Sequence, residues 1–167
     1  MDSDEKLARL KESMTLATQV KSADDLKVGT IVYVRMDKND GLILKDGYTT
    51  RLKYIIVAGS KSNDKEFCAV LVNSDNDYSD SPEWKAEQYP LLQQNYPDLL
   101  EYNSWIDCTD PKTLTLRKLK ARKAEIKGRL TDDDLDAVMT KLKDSDFIEP
   151  HLKTVFGIST YTSEKDT

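Results

Sequence analysis

A chain of 167 residues, 38% hydrophobic and 33% charged, is long enough for one domain with a real core and too apolar to stay disordered. Its net charge of −5 argues against a general binder of polyanions, and no apolar run reaches the roughly eighteen residues that suggest a membrane span. The acidic start, Met1-Asp2-Ser3-Asp4-Glu5, lacks the basic and apolar stretches of an export signal, so the expected setting is the cytoplasm, with Cys68 and Cys108 as buried thiols.

Residues 4–20 read as an amphipathic helix, with Leu7, Leu10, Met14 and Ala17 at spacings of three and four. Residues 22–27 form a connector. A strand follows over 30–36, with Ile31, Tyr33 and Arg35 on one face and Val32, Val34 and Met36 on the other. A loop over 37–41 leads to an expected hairpin. In it Leu42-Ile43-Leu44 pairs with residues 48–57 across the turn signal Asp46-Gly47. Residues 58–65 are a loop, and 67–72 the next strand, ending in Asn73-Ser74.

Prolines 82, 90 and 97 break up the middle of the chain, which predicts short helical turns whose aromatic side chains cover a sheet face. Residues 104–108 are a short strand and 113–119 another, with a basic link over 120–129. Thr131-Asp132-Asp133-Asp134 caps a helix whose buried stripe is Leu135, Val138, Met139 and Leu142. Pro150 opens a last turn, and residues 158–167 read as a flexible tail.

Charge is unevenly spread. Residues 75–110 carry nine acidic side chains against Lys85 alone, whereas 112–129 carry eight basic ones against Glu125. Such polarity can create a local basic surface on an acidic protein. A solvated hairpin neutralised by its acidic neighbour explains the same pattern.

The chemistry the chain permits is narrow. Its one histidine, His151, leaves no material for a histidine-based triad or pair, and neither GxGxxG nor GxxxxGK[ST] occurs. The aspartates at 132–134 and 136 are explained by a helix start without a metal ion, and no cofactor is expected. What remains is Arg51, whose planar fork matches two phosphate oxygens, together with the hydroxyls of Thr49, Thr50 and Ser74. That set suffices to stabilise the dianionic transition state of an RNA 2′-hydroxyl attacking its own phosphodiester. The alternative is an arginine on the solvent face of a strand.

The order of signals resembles the MazF/PemK-like (Kid-like) mRNA interferase toxins. Lys27-Val28-Gly29-Thr30-Ile31-Val32-Tyr33-Val34 is similar to the family's first strand, and residues 51–57 to its arginine-led second strand. Asn103-Ser104-Trp105-Ile106, Lys112-Thr113-Leu114 and residues 129–135 are similar to its later strand, basic segment and capped helix. The likeness covers roughly residues 27–148. Leu52 stands where the family has proline, and Asp110-Pro111-Lys112-Thr113 lacks its glutamine.

The resemblance implies an α+β, mainly β fold, an SH3-like small barrel with a C-terminal helix and, here, an added N-terminal helix. Residues 1–26 would be that helix and its connector, 27–157 the barrel domain with its C-terminal helices. The implied activity is metal-independent cleavage of single-stranded RNA, with Arg51 stabilising phosphate and Ser74 donating a hydroxyl. Thr49, Thr50, Asn73, Lys112 and Thr113 would hold RNA. The implied assembly is a homodimer covered by a cognate antitoxin, and no general base is evident. A barrel that has lost catalysis and binds protein or nucleic acid is the rival expectation.

Overall fold

The central strands are apolar on both faces because both faces are covered. β1 (Thr30–Met36) and β2 (Arg51–Ser60) pair antiparallel from Ile31↔Ile56 to Met36↔Arg51. β3 (Glu66–Asn73) pairs with β2 from Ile55↔Leu71 to Ser60↔Phe67, with a bulge between Val57 and Gly59. The remaining strands are β4 (Gln88–Leu91), β5 (Ser104–Asp107), β6 (Lys112–Thr115) and β7 (Glu125–Arg129). Six of the seven described strands run in the order β4-β5-β3-β2-β1-β7, and the seventh, β6, pairs with β3 off that path. This is a computed structural model describing residues 2–45 and 47–163; for residues 10–17 it describes the backbone alone.

Among the described residues the α-helices are α1 (Ser3–Thr18), α2 (Pro82–Ala86), α3 (Leu116–Ala121), α4 (Asp132–Asp144) and α5 (Pro150–Val155). The class is α+β, mainly β, with the expected C-terminal helix and added N-terminal helix. On one side of the sheet Ile31, Ile56, Val70 and Val72 cluster with Leu135, Val138, Met139 and Leu142 of α4. On the other, Val32, Val34, Met36, Ile55 and Val57 cluster with Phe67, Leu71, Leu114 and Leu119. Each such side chain stabilises the fold by roughly 1.5–3 kcal/mol on burial.

Capping explains the best-read helix. Thr131 Oγ1 accepts from the Asp134 amide at 3.2 Å, and the first-turn aspartates suit the helix dipole. Asp134 in turn accepts the hydroxyls of Tyr89 and Tyr96, pinning the aromatic middle segment to α4. The aspartate run is thus a cap and an anchor.

Several expectations are corrected. The hairpin built on 42–44 does not form: β2 pairs with β1, whose seven-residue alternation offers a longer ladder. Leu42 is instead buried and Ile43 exposed in an irregular segment, and Asp46 of the turn signal lies outside the described residues. The middle of the chain contains β4, in which Pro90 is tolerated because the strand lies at the sheet edge. The strand expected over 113–119 stops at Thr115, whose Oγ1 accepts from the Lys118 amide and starts α3. The basic link contains β7, an edge strand on β1. Leu7 of the predicted α1 stripe is half exposed, while the side chains of Leu10, Met14 and Ala17 lie outside the described set. Past α5 the chain is packed, not free: Ile158 is fully buried, and Tyr161 and Ser163 both donate to Asp136 at 2.6 Å. The last four residues of the expected tail, 164–167, lie outside the described residues.

Two of the predicted basic residues are committed to an internal carboxylate. The Asp40 side chain is fully buried and accepts from Arg122 at 2.7 Å and from Lys118 at 2.8 Å. Burial alone would raise its pKa. The hydrogen bonds from Arg122, Lys118 and the Asp37 amide outweigh burial and bring it down to about 2. A carboxylate lowered in this way contributes stability above the ordinary value of 3.8, and that contribution is lost as pH falls toward 2. Asp40→Asn is therefore expected to cost about 2–3 kcal/mol at neutral pH in urea titrations. It should also flatten the acid limb of stability between about pH 4 and 2.

Gly59 is the one glycine that a close approach demands. A Cβ there would lie 2.2 Å from the Phe156 carbonyl oxygen, where α5 ends against β2. Gly59→Ala should lower stability by about 1–3 kcal/mol, read as a drop in the urea midpoint at unchanged slope.

Candidate active site

A change of strand partner opens the cleft. β3 pairs with β6 from Glu66 to Ala69 and with β2 as far as Leu71, then passes Val72 and Asn73 to β5. β2 continues past Tyr54 to Arg51 along β1 alone. Where the two strands part lies a cleft of about 310 Å³. Its walls include Arg51 and Lys53 of β2, Asn73 and Ser74 at the end of β3, and Glu101 and Tyr102 ahead of β5.

Arg51 and Lys53 stand two apart on one strand, so they leave the same face about 7 Å apart. Arg51 is exposed and makes no ion pair among the described residues. Lys53 is its opposite, only 6% exposed, because it continues the buried stripe of Ile55 and Val57. Its Nζ donates to Asn73 Oδ1 at 2.7 Å, across the gap between β2 and β3. Burial above all, and then the Arg51 charge, push Lys53 down from 10.5 to about 8, while Asp75 works the other way. A buried amine without a carboxylate partner loses much of its hold on a proton.

The cleft also has an aromatic lining. Tyr33 and Tyr54 face each other across β1 and β2 with ring centroids 4.5 Å apart and planes tilted by 31°. Burial above all, and then the neighbouring Tyr33, raises the Tyr54 phenol, so Tyr54 stays protonated and neutral at ordinary pH. Such faces can take a flat ring by stacking.

The site residues expected from the sequence divide into two groups. Arg51, Asn73 and Ser74 line the cleft together. Thr50 Oγ1 accepts from Arg35 Nη1 at 2.9 Å, and Thr49 is exposed in the loop before β2; neither is part of the lining. Lys112 is buried, with Nζ donating to Asp110 at 2.6 Å and to the Gly41 carbonyl at 2.9 Å. Thr113 pairs with Cys68, five residues along β3 from Asn73. The basic segment is thus drawn to the other end of β3 by the β6 pairing. Lys53, the tyrosine pair and Glu101 had not been singled out. The alternation Lys53-Ile55-Val57 was the available signal, since it puts a lysine on an apolar face.

No family model matches the chain, and no curated protein sequence matches it. Among solved structures, the chain is similar to the crystal structure of MazE-MazF (Form-III) from Deinococcus radiodurans. That match has 15% identity and a TM-score of 0.46, and it covers 70% of this chain and 91% of that one. The chemistry of the cleft is accordingly read from its own residues.

A lysine whose pKa is lowered by folding weakens the fold while it stays charged. The penalty is complete below about pH 8 and disappears as pH rises toward 10.5. Lys53→Met should therefore be more stable than the natural chain at pH 7. The difference is expected to shrink steadily between about pH 8 and 10.5, checked by denaturant titrations of both proteins across that range.

Proposed function

We propose that the protein is a metal-independent endoribonuclease of the MazF/PemK type acting on single-stranded RNA. The observation that supports this most is the meeting of Arg51, Asn73 and Ser74 in one cleft that also has a pair of tilted tyrosine rings in its lining. The unpaired Arg51 guanidinium binds the scissile phosphate through two oxygens and takes up the charge that develops in the transition state. Ser74 donates its hydroxyl to the leaving 5′-oxygen or to a phosphate oxygen. Asn73 helps hold the sugar–phosphate, and the tyrosine faces stack an unpaired base, which favours single strands over duplex. Attack by the 2′-hydroxyl leaves a 2′,3′-cyclic phosphate and a free 5′-hydroxyl.

A homodimer and a cognate antitoxin belong to the same reading. The exposed Leu52 at the cleft, with exposed Ile43 and Tyr48 on the loop before β2, supports a protein partner seated on this face. The cytoplasm is the proposed setting.

A second reading has its own support. Glu101 lines the cleft and Asp75 follows Ser74, so negative charge stands near the position a phosphate would take. A barrel that binds protein without cleaving RNA fits that rim. Purified protein incubated with single-stranded RNA in excess chelator separates the two. The nuclease reading expects 5′-hydroxyl and 2′,3′-cyclic phosphate ends, and Arg51→Ala should slow cleavage by roughly 100-fold or more. Intact RNA with the natural chain would establish the binding module instead.

A further inference from the structure

We propose that Lys53 is the general base of the cleft: its neutral amine removes the proton from the attacking 2′-hydroxyl. This rests on the ribonuclease reading above and fills the one role that reading leaves empty.

The geometry restricts the choice. Lys53 lines the cleft, is only 6% exposed and has its amine at the gap between β2 and β3. Asn73 Oδ1 accepts one N–H at 2.7 Å, which fixes the nitrogen while leaving its lone pair for a proton. No carboxylate lies within salt-bridge distance of Nζ among the described residues, so nothing locks it as an ammonium. With its proton held only to about pH 8, a useful fraction of the amine is free near neutrality.

The charges around it act in both directions. Arg51, next on the same face, opposes protonation of Lys53, whereas Asp75 beyond β3 favours it. Glu101 and Tyr102 face the cleft from the loop before β5, and Tyr33 and Tyr54 from β1 and β2. A bound phosphodiester brings one negative charge, and Arg51 is placed to meet it. The same guanidinium thus binds the phosphate and, before substrate arrives, adds to the free-base fraction of the lysine. Tyr54 is raised by burial and holds its proton, and the sole histidine, His151, lies on α5.

The step balances without a co-reactant. Lys53 Nζ takes the 2′-hydroxyl proton as the new P–O2′ bond forms and the P–O5′ bond breaks. The departing 5′-oxygen, hydrogen-bonded by the Ser74 hydroxyl, takes its proton from water. The Lys53 ammonium then returns its proton to water, so there is no net change in protons and no oxidation.

The test is single-turnover cleavage of single-stranded RNA in chelator from pH 6 to 10, with the natural chain, Lys53→Arg, Lys53→Ala and Glu101→Gln. Thermal melts confirm that each variant is folded. The natural rate should climb with pH and level off above about 8. Lys53→Arg keeps a cation but has no usable free base, so it should lose roughly 100-fold or more and show no break near pH 8. Lys53→Ala should behave likewise and recover in added primary amines, in proportion to their free-base concentration, but not in guanidinium. Lys53→Arg at the natural rate, or a pH break that moves only with Glu101→Gln, would overturn the lysine assignment while leaving the nuclease standing. Absence of cleavage by the natural chain would remove both.

Discussion

One constraint shapes the molecule: β3 serves three strands in turn. Its first half is shared by β6 and β2, and its last two residues by β5. A strand with a single long partner would have closed the ladder as far as Arg51. Because β3 leaves β2 after Leu71, the first four residues of β2 stay bonded to β1 alone, and the space between the strands is not filled. Backbone hydrogen bonding, not a loop insertion, makes the cleft.

That division also explains why a lysine can sit on an apolar face. Along β2 the stripe Val57, Ile55, Lys53 and Arg51 runs from buried to exposed, and Lys53 is the last buried member. The residue is buried at 6% exposure while its amine reaches Asn73 across the gap. The fold thereby places two cations of unlike character side by side. Arg51 is solvated and permanently charged; Lys53 is dry and readily discharged. Pairs whose surroundings push them apart in this way are suited to separate chemical roles.

The basic segment shows the opposite outcome. Lys118 and Arg122 neutralise the buried Asp40, Lys112 ties Asp110 to the Gly41 carbonyl, and Lys127 pairs with Glu125. Three of its eight cations thus hold loops to α3 and β6, and a fourth pairs within β7, instead of all forming an open surface. A charge run in one dimension becomes a set of local pairs in three, and at Asp40 the cause is a buried carboxylate that needs compensation.

How far the sequence reached can be seen element by element. α4 was legible because its cap, its acidic first turn and its apolar period all come from neighbours within four residues. β1 and β3 were legible from alternation and β-branched content. β4 and β7 were not, since edge strands carry proline or charge that reads as loop, and only the partner across the ladder makes them strands. Arg51, Asn73 and Ser74 could be named from the sequence by their strand ends. That they share a cleft, that Lys112 and Thr113 are carried away from it, and that Lys53 is its buried amine were decided by tertiary structure. The physical reason is that strand pairing and burial are settled between residues far apart in the chain, and local pattern contains no record of them.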